Sequence, residues 1–200
     1  MSDRRTQAER RTKSIGQLID ATIDAIADVG YHRTSLNEIC SRAGISRGGL
    51  FRHFDSRLDL VVAAAEEVGR RHAARFSALR EAGAIVDAAD AVRFARDEIR
   101  DRINTVWFEL LVAARTEPEL RERLAPVAEA LLSELEVLGL QIADQYRVDP
   151  ALARLVGTSL IHMFDGEAIF RATYPRPDLE QDRMDTLISI AGKLPRQPRT

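Results

Sequence analysis

The sequence has one cysteine, Cys40, and only 6% of its 200 residues are aromatic. A lone cysteine cannot close an intramolecular disulfide, which excludes a disulfide-stapled scaffold. The four histidines, His32, His53, His72 and His162, do not pair with one another at metal-ligand spacing. His162 and Asp165 stand at i, i+3, but two ligands rarely suffice for a metal, so no metal or cofactor is called for. Long apolar runs are missing too: Leu60 to Ala65 is one of the longest, far short of the roughly 20 residues a membrane span needs. No apolar stretch follows Arg4, Arg5, Arg10 and Arg11, unlike a secretory leader, and a cytoplasmic location is expected. Period-two alternation, the signature of a half-buried strand, is nearly absent.

What remains is a 45% hydrophobic chain, enough to bury a real core, with apolar residues at helical spacing almost throughout. The expected fold is all-α, with about nine helices. The first runs from about Gln7 to Val29 and is stopped by Gly30, a residue able to take positive φ. Ser35-Leu-Asn-Glu38 reads as a capping box opening a short helix to Ala43, which Gly44 ends. Ser46 caps a helix expected over Arg47 to Phe54, and Asp55-Ser56 caps a long one from Arg57 to Arg80. Beyond Gly83, helices are expected at Asp87–Arg102, Asn104–Thr116, Pro118–Gln145, Pro150–Thr173 and Leu179–Lys193. Pro126 should kink or split its helix, Pro175 and Pro177 should break the chain, and the Pro195–Thr200 tail has no core-forming residue.

The net charge of −2 is unevenly spread. Residues 1–57 carry ten Lys/Arg against seven Asp/Glu, which leaves 19 basic and 24 acidic residues for the remainder. The basic end is therefore where a nucleic-acid surface is sought. There, Leu36, Ile39, Cys40 and Ala43 share one face, and Ile45, Leu50 and Phe54 supply matching apolar contacts, the pattern of two short helices held at a fixed angle. Arg47, Gly48, Gly49, Phe51, Arg52 and His53 then fall on or beside the solvent side of the second helix, which in a helix-turn-helix enters the major groove. Two glycines in a helix cost about 1 kcal/mol each against alanine, and close backbone approach to DNA is one reason to keep them. Arg4, Arg5, Arg10, Arg11 and Lys13 form a basic arm suited either to phosphates or simply to solvent. Cys40, among apolar neighbours, reads as a small hydrophobe.

The string from Thr34 to Leu60, with Ala43-Gly44-Ile45-Ser46 in the turn, Gly48-x-Leu50-Phe51-x-His53-Phe54 after it and Ser56-Arg57 opening the next helix, resembles the DNA-binding domain of the tetracycline-repressor (TetR) family, over about Arg10 to His72. The resemblance implies a three-helix N-terminal domain within residues 1–57, its helix-turn-helix at about 35–54, and a larger helical effector-binding and dimerisation domain over 58–200. It implies that Ser35, Asn37, Phe51, His53 and Arg57 touch the DNA backbone or adjoining bases, with Arg47, Gly49 and Arg52 at operator-dependent positions. Arginine is the right chemistry there, since a bidentate pair with guanine is worth about 1–3 kcal/mol of discrimination. Phe51 departs from the family's usual tyrosine, losing a hydroxyl and any phosphate bond it made.

The implied partners are a pseudo-palindromic operator duplex, a second copy docked through the last two long helices, and a small-molecule effector, hydrophobic or aromatic. Phe94, Trp107, Phe108, Leu111, His162 and Met163 are the effector-pocket candidates, although periodicity does not separate cavity lining from core. A repressor released by its effector is the expected function, beside an activator or a regulator sensing a protein. A helical enzyme and a purely structural dimer are the rivals from other classes: no motif assembles a nucleophile, base and acid, and the structural dimer predicts that charge reversal at Arg47 and Arg52 changes nothing.

Overall fold

The computed structural model describes residues 6–193, and all their side chains except those at 80, 138, 142, 145 and 146. Arg4, Arg5 and the Pro195–Thr200 tail lie outside the described residues. Among those described, the secondary-structure elements are helices: α1 (Gln7–Val29), α2 (Leu36–Ala43), α3 (Arg47–Leu50), α4 (Arg57–Glu81), α5 (Ala88–Ile99), a 3-10 turn (Arg102–Asn104), α6 (Thr105–Ala114), α7 (Pro118–Tyr146), α8 (Pro150–Arg171) and α9 (Pro177–Ala191). None is long and apolar enough to cross a membrane.

Local chemistry sets most helix ends. Thr6 and Glu9 form a full capping box on α1, while Asp87 and Asp149 each accept an amide of the first turn of α5 and α8. Pro118, Pro150 and Pro177 open α7, α8 and α9, where a missing N–H removes nothing. Two expectations are corrected. Of the kink or split expected at Pro126, the split does not occur: α7 runs unbroken to Tyr146, and the carbonyl left without a donor belongs to Glu122, an exposed residue within reach of water. Pro177 begins α9 two residues before the expected start. The end of α7 needs no glycine: Arg147 takes φ 57°, and Val148 N–H reaches back to the Ala143 carbonyl at 2.8 Å, a left-handed cap on a residue with a side chain.

The chain forms two compact units, residues 1–70 with 105–128, and residues 71–104 with 129–200. The sequence suggested a functional division at 57/58; by contacts, α6 and the start of α7 join the first unit. In that unit Leu18, Ala21, Ile39, Leu50 and Leu60 make the core, against which Leu36, Cys40, Ala43, Ile45 and Phe54 pack. In the second, α5 lies against α8 and α9, and Val92, Phe164 and Met184 are buried together.

Candidate nucleic-acid interface

The turn between α2 and α3 is built by Gly44, whose φ of 64° and ψ of 29° are left-handed. It lets Ile45 N–H bond the Cys40 carbonyl at 3.1 Å and turns Ile45 onto the core. Ser35 caps α2 by accepting Glu38 N–H at 3.2 Å, but the other half of the expected capping box is absent. Glu38 instead takes Arg42 at 2.7 Å, and Arg42 also reaches Asp28 on α1 at 2.6 Å, bracing the two helices.

Ser46 caps α3 through Gly49 N–H at 3.1 Å. The recognition helix is shorter than expected: regular helix ends at Leu50, and the chain stays coiled through Phe54 by a turn in which both His53 N–H (2.9 Å) and Phe54 N–H (3.1 Å) bond the Leu50 carbonyl. Two glycines and an i→i+3 bond favour this tightened exit over a further α turn.

The glycine pair divides into two roles. A Cβ on Gly48 would meet nothing within 4 Å, so this exposed backbone is open to close approach. A Cβ on Gly49 would lie 2.8 Å from Cγ2 of Ile45, so Gly49 has a packing reason to be glycine whatever it faces.

Ser35, Asn37, Arg47, Arg52 and Phe51 are exposed together around α2 and α3. Arg47 Nη1 donates to Asn37 Oδ1 at 3.3 Å, and its guanidinium sits 5.9 Å from the Phe51 ring centroid, so the side chain is loosely held by both. His53 is half-buried, with Nδ1 buried and unpartnered.

Arg57 faces inward. It donates from Nε to the Thr34 carbonyl at 2.6 Å and from Nη2 to the Tyr31 carbonyl, with its guanidinium 4.2 Å from the Tyr31 ring centroid. Arg57 therefore braces the corner between α1 and α2 through two of its donor nitrogens.

The effector candidates divide between the units. Trp107, Phe108 and Leu111 lie on α6 in the first: Trp107 is buried with its indole N–H unpartnered, Phe108 half-buried, Leu111 48% exposed. In the second, Phe94 packs edge-on against Phe76 at 5.3 Å, Met163 joins the α5/α8/α9 core, and His162 is exposed.

Sequence reasoning missed Tyr31, Glu109 and Glu117. Tyr31 is 4% exposed, and burial, helped by the Glu117 carboxylate that accepts its hydroxyl, raises the phenol above its ordinary pKa. A signal was present: Glu109 is the only charged residue of α6.

Comparison with known proteins agrees with this architecture. Residues 18–64 match the family described as bacterial regulatory proteins, tetR family. The chain is 35% identical to the uncharacterized HTH-type transcriptional regulator Rv2912c of Mycobacterium tuberculosis over 190 residues, 93% of this chain and 96% of that one. A transcriptional regulator from Rhodococcus sp. Rha1 has the same fold, at TM-score 0.71 and 24% identity over 89% of this chain and 95% of that one. The multidrug binding protein EbrR, solved with imidazole, gives TM-score 0.64 at 25% identity over 96% and 98%.

Proposed function

The chain belongs to the TetR family of helix-turn-helix transcriptional regulators, a family of regulators and not of enzymes, and from that premise we propose that it is a repressor released from its operator by a small molecule. The observation that carries the DNA-reading part is the outward set on α3 and its exit turn: Arg47 and Arg52 exposed beside the open backbone of Gly48. Arg47 and Arg52 read base edges, Ser35, Asn37 and His53 bind phosphates, and Phe51 stacks or meets a thymine methyl. Gly48 and Gly49 let the backbone approach. Lys13 and Arg11 on the exposed start of α1 add salt-dependent affinity.

One recognition helix reads too few bases, so the working form is a homodimer on a pseudo-palindrome, in the cytoplasm where the chromosome is. Exposed Leu155, Ile169 and Phe170 on α8 and Leu179 and Ile190 on α9 supply the apolar surface for it. An apolar or aromatic effector taken up within the second unit, where Phe94, His162 and Met163 are the candidates, shifts α4 and lowers the population of the DNA-competent dimer. EbrR, with its bound imidazole, is a relative of similar fold that takes a small ring.

The test is a gel shift on the DNA upstream of the protein's own gene, at fixed salt with excess competitor, for the wild type and an Arg47→Ala/Arg52→Ala variant. Specific retention lost in a folded variant is the expected result. Equal retention by both proteins would remove α3 as the reader.

A further inference from the structure

The corner between α1 and α2 is held by side chains from three other elements of the first unit. Tyr31 donates its backbone N–H to Glu109 Oε2 on α6 at 2.9 Å, and its hydroxyl to Glu117 Oε2, just before α7, at 2.7 Å. Arg57, opening α4, takes the Tyr31 and Thr34 carbonyls from the other side. Gly30 completes the fit: its φ is 83°, and a Cβ there would come within 2.9 Å of the same Glu109 oxygen. Bonds to a carboxylate are about twice as strong as neutral ones, and here one partner is a buried tyrosine. Two carboxylates add nothing to affinity for a polyanion, so their place on a DNA-binding head calls for another reason.

We propose that Glu109 and Glu117 are positioning residues for DNA reading. Through Tyr31 they set the angle at which α1–α3 present the recognition helix, so the state of α6 is felt directly by the reader. The inference rests on the DNA-binding function proposed above.

Glu109→Ala and Glu109→Gln separate this role from charge, because both remove the negative charge and only glutamine keeps an acceptor for Tyr31 N–H. The DNA probe is a duplex that the wild-type protein selects from a random pool, and hydrogen exchange at the Tyr31 and α2 amides is followed beside it. Glu109→Ala should lose about tenfold in affinity and exchange faster, while Glu109→Gln stays within about threefold of wild type with normal exchange. Tyr31→Phe, which removes the hydroxyl bond to Glu117 and keeps the backbone bond to Glu109, should lose less in the same direction; no loss would strike Glu117 from the proposal. Wild-type affinity and exchange in a folded Glu109→Ala, or equal impairment in both Glu109 variants, would overturn it. If the wild type selects no duplex, the DNA-binding function fails, and the exchange comparison still decides the clamp.

Discussion

Around α2 and α3 the arginines Arg47 and Arg52 face outward and hydrocarbon faces in, whereas in α5, α8 and α9 charged side chains are buried beside a hydrocarbon core and further hydrocarbon faces out. There Arg96 and Arg100 turn inward onto Glu167 and Glu180, whose side chains are 5% and 7% exposed, while Phe170 stands 68% exposed. Glu167 is also held by Arg100 and Arg183, and Glu180 by Arg171 at 3.1 Å. Charge on the outside suits a polyanionic partner; hydrocarbon on the outside suits another protein surface. The buried ions in the second unit are a different device. Desolvation makes such a network a poor source of net stability but a strong constraint, since removing either carboxylate leaves the guanidinium groups of Arg96 and Arg100 with one counter-ion fewer.

The sharpest way to break this contrast is Glu167→Ala. It should destabilise the protein by about 3–5 kcal/mol, read by thermal or urea melting, because Arg183 loses its carboxylate and Arg96 and Arg100 are left to share Glu180 alone. A loss below about 1 kcal/mol would mean the network is solvated and idle. The same residue gives a pH signature. Burial alone would raise the Glu167 carboxyl, but hydrogen bonds from Arg100 and Arg183 and the charge of Arg96 outweigh it and hold its pKa below the ordinary glutamate value. Its contribution is therefore present above the unfolded-state value and lost as pH falls through the lowered folded one. Melting temperature should fall with acid in that window, and Glu167→Gln should flatten the fall.

Next in size is the apolar face. Phe170→Asp with Ile169→Asp should weaken self-association by at least about tenfold in sedimentation, since each side chain buried at an interface is worth about 1.5–3 kcal/mol. An unchanged association constant would remove this face of α8 and α9 as the proposed dimer surface.

The glycine pair sharpens the comparison within the head itself. Gly49→Ala should cost about 1–3 kcal/mol, because its Cβ collides with Ile45. Gly48→Ala, with open space, should stabilise by up to about 1 kcal/mol while weakening operator binding. Stabilisation with undiminished binding would show that no DNA backbone approaches Gly48. Smallest is Arg147→Gly, which relieves a positive φ and should raise stability by no more than about 1 kcal/mol, seen as a melting shift of a few degrees.

Much of the head was legible beforehand. Gly30 ends its helix at positive φ and Gly44 ends the next, as the sequence predicts; Ser35, Ser46 and Ser56 each accept a first-turn amide, and Leu36, Ile39, Leu50 and Phe54 meet around one core. The errors were also local in origin. Glu38 had two possible partners within four residues, and Arg42 won over the Ser35 amide. The apolar spacing predicts a recognition helix to Phe54 because it continues where regular helix does not.

Caps, breakers and periodicity act within about one helical turn, so the sequence alone determined an all-helical chain, the placing of its turns and the outward face of α3. Which polar groups meet across the chain was decided only by tertiary structure. Tyr31 and Glu109 are 78 residues apart, Tyr31 and Glu117 are 86 apart, and Arg100 and Glu180 are 80 apart. No local pattern encodes such a pairing. Whether Arg57 reaches out to DNA or in to two carbonyls, and whether Gly49 serves a ligand or Ile45, depends on what the folded neighbours leave open.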